Sequence, residues 1–127
     1  MADHGTFHWN ELLTSDPDGA KAFFGTVAGW TYNEMAMPDG MTYHVAMQGD
    51  AHAGGIMKMP DAMPAGTPPH WFAYMAVDDV DAAVDKVGAA GGTVLTPPFD
   101  VEGVGRIAII QDPQGAALGL MTPAAQG

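Results

Sequence analysis

Four polar side chains stand out among the apolar strands that this sequence predicts: Glu11, Lys58, His70 and Tyr74. The Glu11 carboxylate could act as a base that removes a proton from a substrate. The Lys58 ammonium or the Tyr74 hydroxyl could stabilise the oxyanion that results, and the His70 imidazole could act as an auxiliary acid. Residues of these types predict general acid–base chemistry.

Each of these side chains also has a purely structural interpretation. Glu11 and Lys58 could form an ion pair, because buried charges require partners. His70 follows Pro68-Pro69 at the entry of a strand, where a capping or surface histidine is more common than a general base. The Tyr74 hydroxyl could donate to a ligand or to the protein itself. The residues alone leave both interpretations open.

The elements that must position these side chains are repeated within the chain. Adding 63 to a position in the first half finds a matching residue in the second half in several pairs: Asp16 and Asp79, Asp18 and Asp81, Gly29 and Gly92, Gly40 and Gly103, Gln48 and Gln111. Coincidences of aspartate, glycine and glutamine at one offset indicate an internal duplication.

Each repeat predicts one strand, one helix and three further strands. Aromatic-rich runs that begin at residues 7 and 70 are suited to strands. Asp16 is expected to cap the first helix, and Gly29 to end it. Asp79 or Asp78 is expected to cap the second helix, which runs to Gly91-Gly92. The later strands are predicted at 30–37, 43–48 and 54–59, and again at 93–101, 106–111 and 117–122.

These elements predict an α+β fold in which tandem βαβββ modules form a curved eight-stranded mixed sheet around a cavity, with the helices outside. The chain, 1–127, is interpreted as a single domain of two repeats, with modules at 6–60 and 69–123 and a Pro-rich linker at 60–69. Because one module cannot cover its own sheet, the cavity between the two is the expected functional site.

Charge and composition exclude several classes of partner. The formal net charge is −11, from fifteen acidic and four basic residues, which disfavours nucleic acid and anionic membranes. The absence of cysteine excludes disulfides and thiolate catalysis. No apolar run approaches the ~20 residues of a membrane-spanning helix. We therefore expect a soluble, cytoplasmic protein with a small-molecule ligand.

Four motifs resemble those of the vicinal oxygen chelate superfamily. They are Trp9-Asn10-Glu11-Leu12, Pro68-Pro69-His70-Trp71, the run 77–83 (VDDVDAA), and Asp112-Pro113-Gln114-Gly115. That superfamily includes lactoylglutathione lyases, extradiol dioxygenases, fosfomycin-resistance proteins and bleomycin-binding proteins. The resemblance covers Phe7 to Pro123 and is closest to a lactoylglutathione-lyase-related actinobacterial branch of largely unassigned function.

The resemblance implies a divalent metal held by the first and last strands of each module. The family's spacing places these ligand positions at Trp9, Phe72 and Gly119, and the offset of 63 adds Ile56. None of these side chains offers a lone pair to a divalent ion. We therefore predict that the usual metal is absent, and that Trp9 and Phe72 fill its space or stack on a ligand. An unconventional metal site at His70 and Glu11 is the alternative.

Strand alternation from Trp9 and Phe72 then predicts the lining of the cavity. The expected ligand-binding residues are Trp9, Ile56, Phe72, Gly119 and Met121, with Glu11, Lys58, His70 and Tyr74 as polar groups on the same side. This lining predicts a metal-free binding protein for a hydrophobic or aromatic small molecule. A glyoxalase-related lyase or isomerase, metal-independent or with relocated ligands, is the alternative. A protein–protein module is a third interpretation, and a homodimer is compatible with all three.

Overall fold

The fold was obtained as a computed structural model, which describes residues 3–37, 40–60, 66–101 and 104–124. Residues 61–65 of the predicted linker lie outside the described residues. Two compact units make up the chain. The first unit is Asn10–Trp71, and the second unit is Met1–Trp9 together with Phe72–Gly127.

Within the described residues the first unit contains one helix, the strand before it from Asn10 onward, and the three strands that follow it. In chain order the elements are β1 (Phe7–Thr14), α1 (Pro17–Ala28), β2 (Thr31–Ala36), β3 (Thr42–Gln48) and β4 (Ala51–Lys58). The strands are ordered β2-β3-β4-β1. β4 pairs in parallel with β1, whereas the other two pairings are antiparallel.

The second unit has the same arrangement. Its elements are β5 (His70–Ala76), α2 (Val80–Val84), β6 (Thr93–Val101), β7 (Gly105–Gln111) and β8 (Ala117–Pro123). The strands are ordered β5-β8-β7-β6, and β5 pairs in parallel with β8. The predicted α+β class, with two βαβββ modules and eight strands in mixed sheet, is confirmed. The module boundaries and the cavity between the modules stay predictions.

α1 begins and ends as its sequence predicts. The Asp16 carboxylate accepts a hydrogen bond from the backbone N–H of Gly19 at 3.0 Å, and Pro17 occupies the first turn. Gly29 ends the helix with φ of 74°, a left-handed conformation that glycine adopts without a steric penalty. Local chemistry therefore fixes both ends of this helix.

α2 is shorter than the sequence predicts. Its cap is Asp79, whose side chain accepts from Ala82 N, but the regular helix ends at Val84. Beyond it, Lys86 N bonds to Ala83 O and Val87 N bonds to Val84 O. These three-residue spacings are the tighter 3₁₀ type, and the chain continues through turns to Gly91.

The sheet of the second unit has an apolar cluster on each face. Val77, Val80, Ala108 and Leu120 form the cluster that packs against α2. Tyr74, Ile107 and Met121 form the other, and Trp9 and Phe72 pack against it. The alternation of side chains along β5, β7 and β8 sends successive residues to opposite clusters. The face that carries Tyr74 contains most of the residues predicted to bind ligand.

Candidate functional site

The candidate ligand surface lies on the second unit and is aromatic. Trp9 and Phe72 are half-buried, and both pack against the buried cluster that contains Tyr74 and Met121. The rings of Phe72 and Tyr74 meet edge to face with centroids 5.3 Å apart, a favourable arrangement for aromatic pairs. We call this surface, with Ile107, the aromatic face.

Exposed rings extend the aromatic face toward solvent. Phe99 pairs with Ile107 across β6 and β7, so the two side chains lie on the same face. Phe7 lies two residues before Trp9 on β1 and so points to the same side. Phe99 is 40% exposed and Phe7 is 66% exposed. Together the half-buried and exposed rings provide a surface on which a planar ligand could stack.

Gly119 lies directly beneath an aromatic ring. It pairs with Tyr74 across the parallel strands β5 and β8. A Cβ atom at position 119 would overlap the Tyr74 ring, so this glycine is required by close packing. Gly119 therefore lies on the aromatic face as predicted, although the Tyr74 ring fills the space above it.

Ile56 does not lie where the offset of 63 places it. On β4, Gly55 pairs with Glu11, whereas Ile56 pairs with Leu12. Paired residues share a face and successive residues alternate, so Ile56 lies on the opposite side of the sheet from Glu11. Ile56 is fully buried there. The prediction that it lines the same surface as Glu11 is wrong, and Gly55 occupies that position.

The same register separates Glu11 from Lys58. Lys58 pairs with Thr14, three residues after Glu11, so the two side chains lie on opposite faces. The predicted ion pair or acid–base pair between them does not form. Lys58 is exposed on the face of the sheet that carries Ile56.

Tyr43 is the partner of Glu11 that sequence reasoning missed. Its hydroxyl donates to Glu11 Oε1 at 2.9 Å, and the Glu11 residue is 8% exposed. A Cβ atom at position 55 would overlap the Tyr43 hydroxyl and ring, so Gly55 leaves the space that brings the two together. In the sequence, the only sign of this arrangement was the glycine at position 55, which has a counterpart in Gly119 beneath Tyr74.

His70 is held by its own strand entry. Its Nδ1 lies 2.9 Å from the carbonyl oxygen of Pro68, which accepts a hydrogen bond when Nδ1 is protonated. This contact agrees with the capping interpretation of His70. If His70 acts as an auxiliary acid, its Nε2 would carry the proton, because Nδ1 contacts Pro68.

The donor set does not fit the family's usual metal at its usual positions. Trp9, Phe72 and Gly119 offer no side-chain lone pair, and Gly119 is covered by the Tyr74 ring. Within the part of the chain that the structure describes, no three histidine, aspartate or glutamate side chains form a group that could hold a metal ion.

One family model matches most of this chain. The model of the "Glyoxalase/Bleomycin resistance protein/Dioxygenase superfamily" matches residues 6–120. A Mycobacterium tuberculosis protein named "Putative glyoxylase CFP32" is 49% identical over 122 residues, which cover 96% of this chain and 46% of that protein. The "Anthracycline biosynthesis protein DnrV" of Streptomyces peucetius is 30% identical over 120 residues, 86% of this chain and 44% of that protein. The chain thus spans less than half the length of these relatives.

Solved structures share the fold. Methylmalonyl-CoA epimerase from Mycobacterium tuberculosis superposes with a TM-score of 0.71 at 18% identity, over 98% of this chain and 93% of that chain. A hypothetical protein, BH1468 from Bacillus halodurans C-125, gives a TM-score of 0.74 at 10% identity, over 98% and 99% of the two chains. At such identities the likeness concerns the fold alone. None of the helices in the described residues is long and apolar enough to cross a membrane.

Proposed function

Because the chain belongs to the glyoxalase/bleomycin resistance protein/dioxygenase superfamily, we propose that it binds a hydrophobic or aromatic small molecule on its aromatic face without the family's usual metal. The observation that carries this proposal is the set of half-buried and exposed rings around Tyr74. Stacking on such rings requires no metal, and a planar ligand would cover apolar area that water now contacts.

One relative supports a planar aromatic ligand class. The name of the Streptomyces peucetius relative associates it with anthracyclines, which are planar fused-ring molecules. A planar ring system could stack on Trp9 and Phe72, and the exposed Phe99 would cover its edge. We extend this ligand class to the present chain as part of the proposal. The absence of nucleic-acid and membrane partners, and a homodimer, remain predictions.

Calorimetric titration with a panel of planar aromatic compounds, an anthracycline among them, tests the proposal. Phe99→Ala removes a ring from the exposed edge of the aromatic face without opening the core. The loss of one aromatic contact is worth about 0.5–1.5 kcal/mol, so we expect Kd to rise roughly 2- to 12-fold.

Phe23→Ala is the matched control. Phe23 is an exposed phenylalanine of α1 in the first unit, 59% exposed against 40% for Phe99. Its removal should leave the affinity for the same ligand unchanged. Failure of the whole panel to bind, or equal losses in the two variants, would reject the aromatic face as the ligand site.

The pair formed by the buried Glu11 and the half-buried Tyr43 supports a second candidate, a metal-independent lyase or isomerase of the glyoxalase-related kind. The Tyr43 hydroxyl donates to the Glu11 carboxylate at 2.9 Å. Glu11 would act as the base that takes a proton from the substrate, Tyr43 would give its own proton back to the substrate, and Glu11 would then reprotonate Tyr43. Tyr43 takes the place that sequence reasoning gave to Lys58, because Lys58 lies on the other face.

Glu11→Gln and Tyr43→Phe separate the two functions. If the protein is an enzyme, both variants should bind ligand as tightly as the unchanged protein but lose turnover. If it is a binding protein, the unchanged protein should bind its ligand stoichiometrically without product over hours. Turnover that survives both substitutions would eliminate the proton-transfer role of this pair.

A further inference from the structure

His44 of β3 carries a buried ring nitrogen that makes no hydrogen bond within the described residues. This nitrogen is Nδ1, and the side chain is 8% exposed. Buried polar atoms are paired in the great majority of cases, since leaving one unpaired costs free energy. A buried imidazole nitrogen that makes no hydrogen bond still has its lone pair or its proton available for another group.

Glu34 of β2 provides a second possible metal ligand, directly opposite His44. Glu34 and His44 pair across the two antiparallel strands, and Glu34 Oε2 lies 3.4 Å from His44 Nδ1. Two ligands of one tetrahedral zinc ion, with Zn–N and Zn–O bonds of about 2.1 Å, stand roughly 3.3–3.5 Å apart. The two atoms are thus already at the separation that a shared ion requires.

A pocket of about 360 Å³ adjoins these donors and leaves room for water ligands. Its lining includes Glu34 and His44 and adds a second carboxylate, that of Asp18 in the first turn of α1. The Glu34 carboxylate is exposed on its outer side, so it can move to admit an ion. Lys58 lines the same pocket, but its side chain is exposed and can extend into solvent.

The two carboxylates already share a cation. Lys21 Nζ lies 3.3 Å from Glu34 Oε2 and 3.6 Å from Asp18 Oδ1. This part of the surface therefore attracts positive charge, as does a chain with a net charge of −11. A divalent ion would compete with the Lys21 ammonium for the Glu34 carboxylate.

We propose that His44 Nδ1 and Glu34 Oε2 bind a divalent ion of the zinc type, with water completing its coordination. Imidazole and carboxylate together suit zinc and neighbouring first-row ions, whereas magnesium prefers oxygen alone. The site lies on the face of the first unit opposite Glu11. It is independent of the proposed ligand surface and of the family's usual metal positions.

Calorimetric titration of the untagged protein with zinc chloride tests this site. The unchanged protein should bind one zinc ion and gain thermal stability from it. Glu34→Gln retains the shape of an exposed side chain but removes the charged donor, and we expect its affinity to fall by at least about tenfold. His44→Asn should have the same effect, and Glu34→Gln carries the test if that buried substitution fails to fold. Magnesium should not bind at the same concentrations.

Two further variants exclude general binding to surface histidines. His4 and Asp78 form a second histidine–carboxylate pair, at 3.7 Å, with both side chains exposed. Asp78→Asn changes the net charge by the same amount as Glu34→Gln and should retain full zinc affinity. Lys21→Met removes the competing ammonium and should tighten binding. Zinc binding that Glu34→Gln leaves intact, or that Asp78→Asn weakens equally, would overturn the proposal, as would no binding at all.

Discussion

At the scale of single residues, two glycines give the sheet faces their chemistry. Gly55 and Gly119 each lie beneath a tyrosine, Tyr43 in the first unit and Tyr74 in the second. The absence of a side chain leaves room for the Tyr43 hydroxyl above Gly55 and for the Tyr74 ring above Gly119. One tyrosine then bonds a buried carboxylate, and the other completes the aromatic face.

Gly119→Ala tests this packing. The added methyl group would overlap the ring of Tyr74, which is itself 9% exposed and has little space to move. Overpacking of a buried site costs about 1–3 kcal/mol, so we expect the free energy of unfolding in urea to fall by that amount. Ligand affinity on the aromatic face should fall with it.

Gly88→Ala is the control for that substitution. Gly88 has no atoms within contact distance of an added Cβ and does not adopt a positive φ. Its replacement should leave stability unchanged, or raise it by up to about 1 kcal/mol through a less flexible unfolded chain. Equal stabilities of the two variants would show that Tyr74 does not cover Gly119.

At the scale of elements, sequence reasoning succeeded where local chemistry decides and failed where strand register decides. α1 begins after Asp16 and ends at Gly29 as predicted, because capping depends only on neighbouring residues. The register of β4 cannot be predicted in this way, because the spacing between equivalent residues of the two repeats changes by one residue before β4. β6 has two irregularities in its pairing with β7, whereas β2 pairs with β3 in an unbroken register. Bulges insert residues that shift all later pairs.

The consequence is a local offset of 64 instead of 63. Val45 pairs with Gly55, and Ile109 pairs with Gly119. The predicted equivalence of Ile56 with Gly119 is therefore one residue in error, and one residue reverses the face. The predicted shared face of Trp9, Phe72 and Met121 is correct, because that prediction depended on β1, β5 and β8 alone and not on the offset between the repeats. That these residues bind a ligand stays a prediction.

An ion pair between α2 and β7 makes the second unit sensitive to pH. Arg106 donates from Nε and Nη2 to the two carboxylate oxygens of Asp81, at 2.7 and 3.1 Å. The hydrogen bonds from Arg106 lower the pKa of Asp81. A carboxylate whose pKa is lower in the folded chain contributes stability above its unfolded pKa of about 3.9, and that contribution is lost as the pH falls through the folded pKa.

Arg106→Gln should therefore lower Tm at pH 7, and this decrease should shrink as the pH falls below about 3.9. Because solvent reaches both side chains, we expect a decrease on the order of a few degrees at pH 7. Lys86→Gln removes the same charge from a lysine that makes no ion pair within the described residues, and it should have a smaller effect. A decrease for Arg106→Gln that persists undiminished at low pH would mean that the Asp81 carboxylate is not its source.

At the scale of the whole molecule, charge is the dominant electrostatic property. Fifteen acidic side chains face only four basic ones, and two of the four, Lys21 and Arg106, already contact two carboxylates each. The remaining carboxylates greatly outnumber the cations left to pair with them. Their mutual repulsion opposes the compact state more than the unfolded state, in which the charges lie farther apart.

Salt should therefore stabilise this protein. Raising the ionic strength from about 0.01 M to 0.15 M shortens the screening length from about 30 Å to about 8 Å. Repulsion between distant exposed carboxylates is then largely removed, whereas contacts near 3 Å, such as that of Arg106 with Asp81, are affected less. We expect Tm, followed by circular dichroism at pH 7, to rise by a few degrees with sodium chloride and equally with choline chloride. A decrease in Tm would mean that the Lys21 and Arg106 ion pairs outweigh the repulsion of the remaining acidic residues.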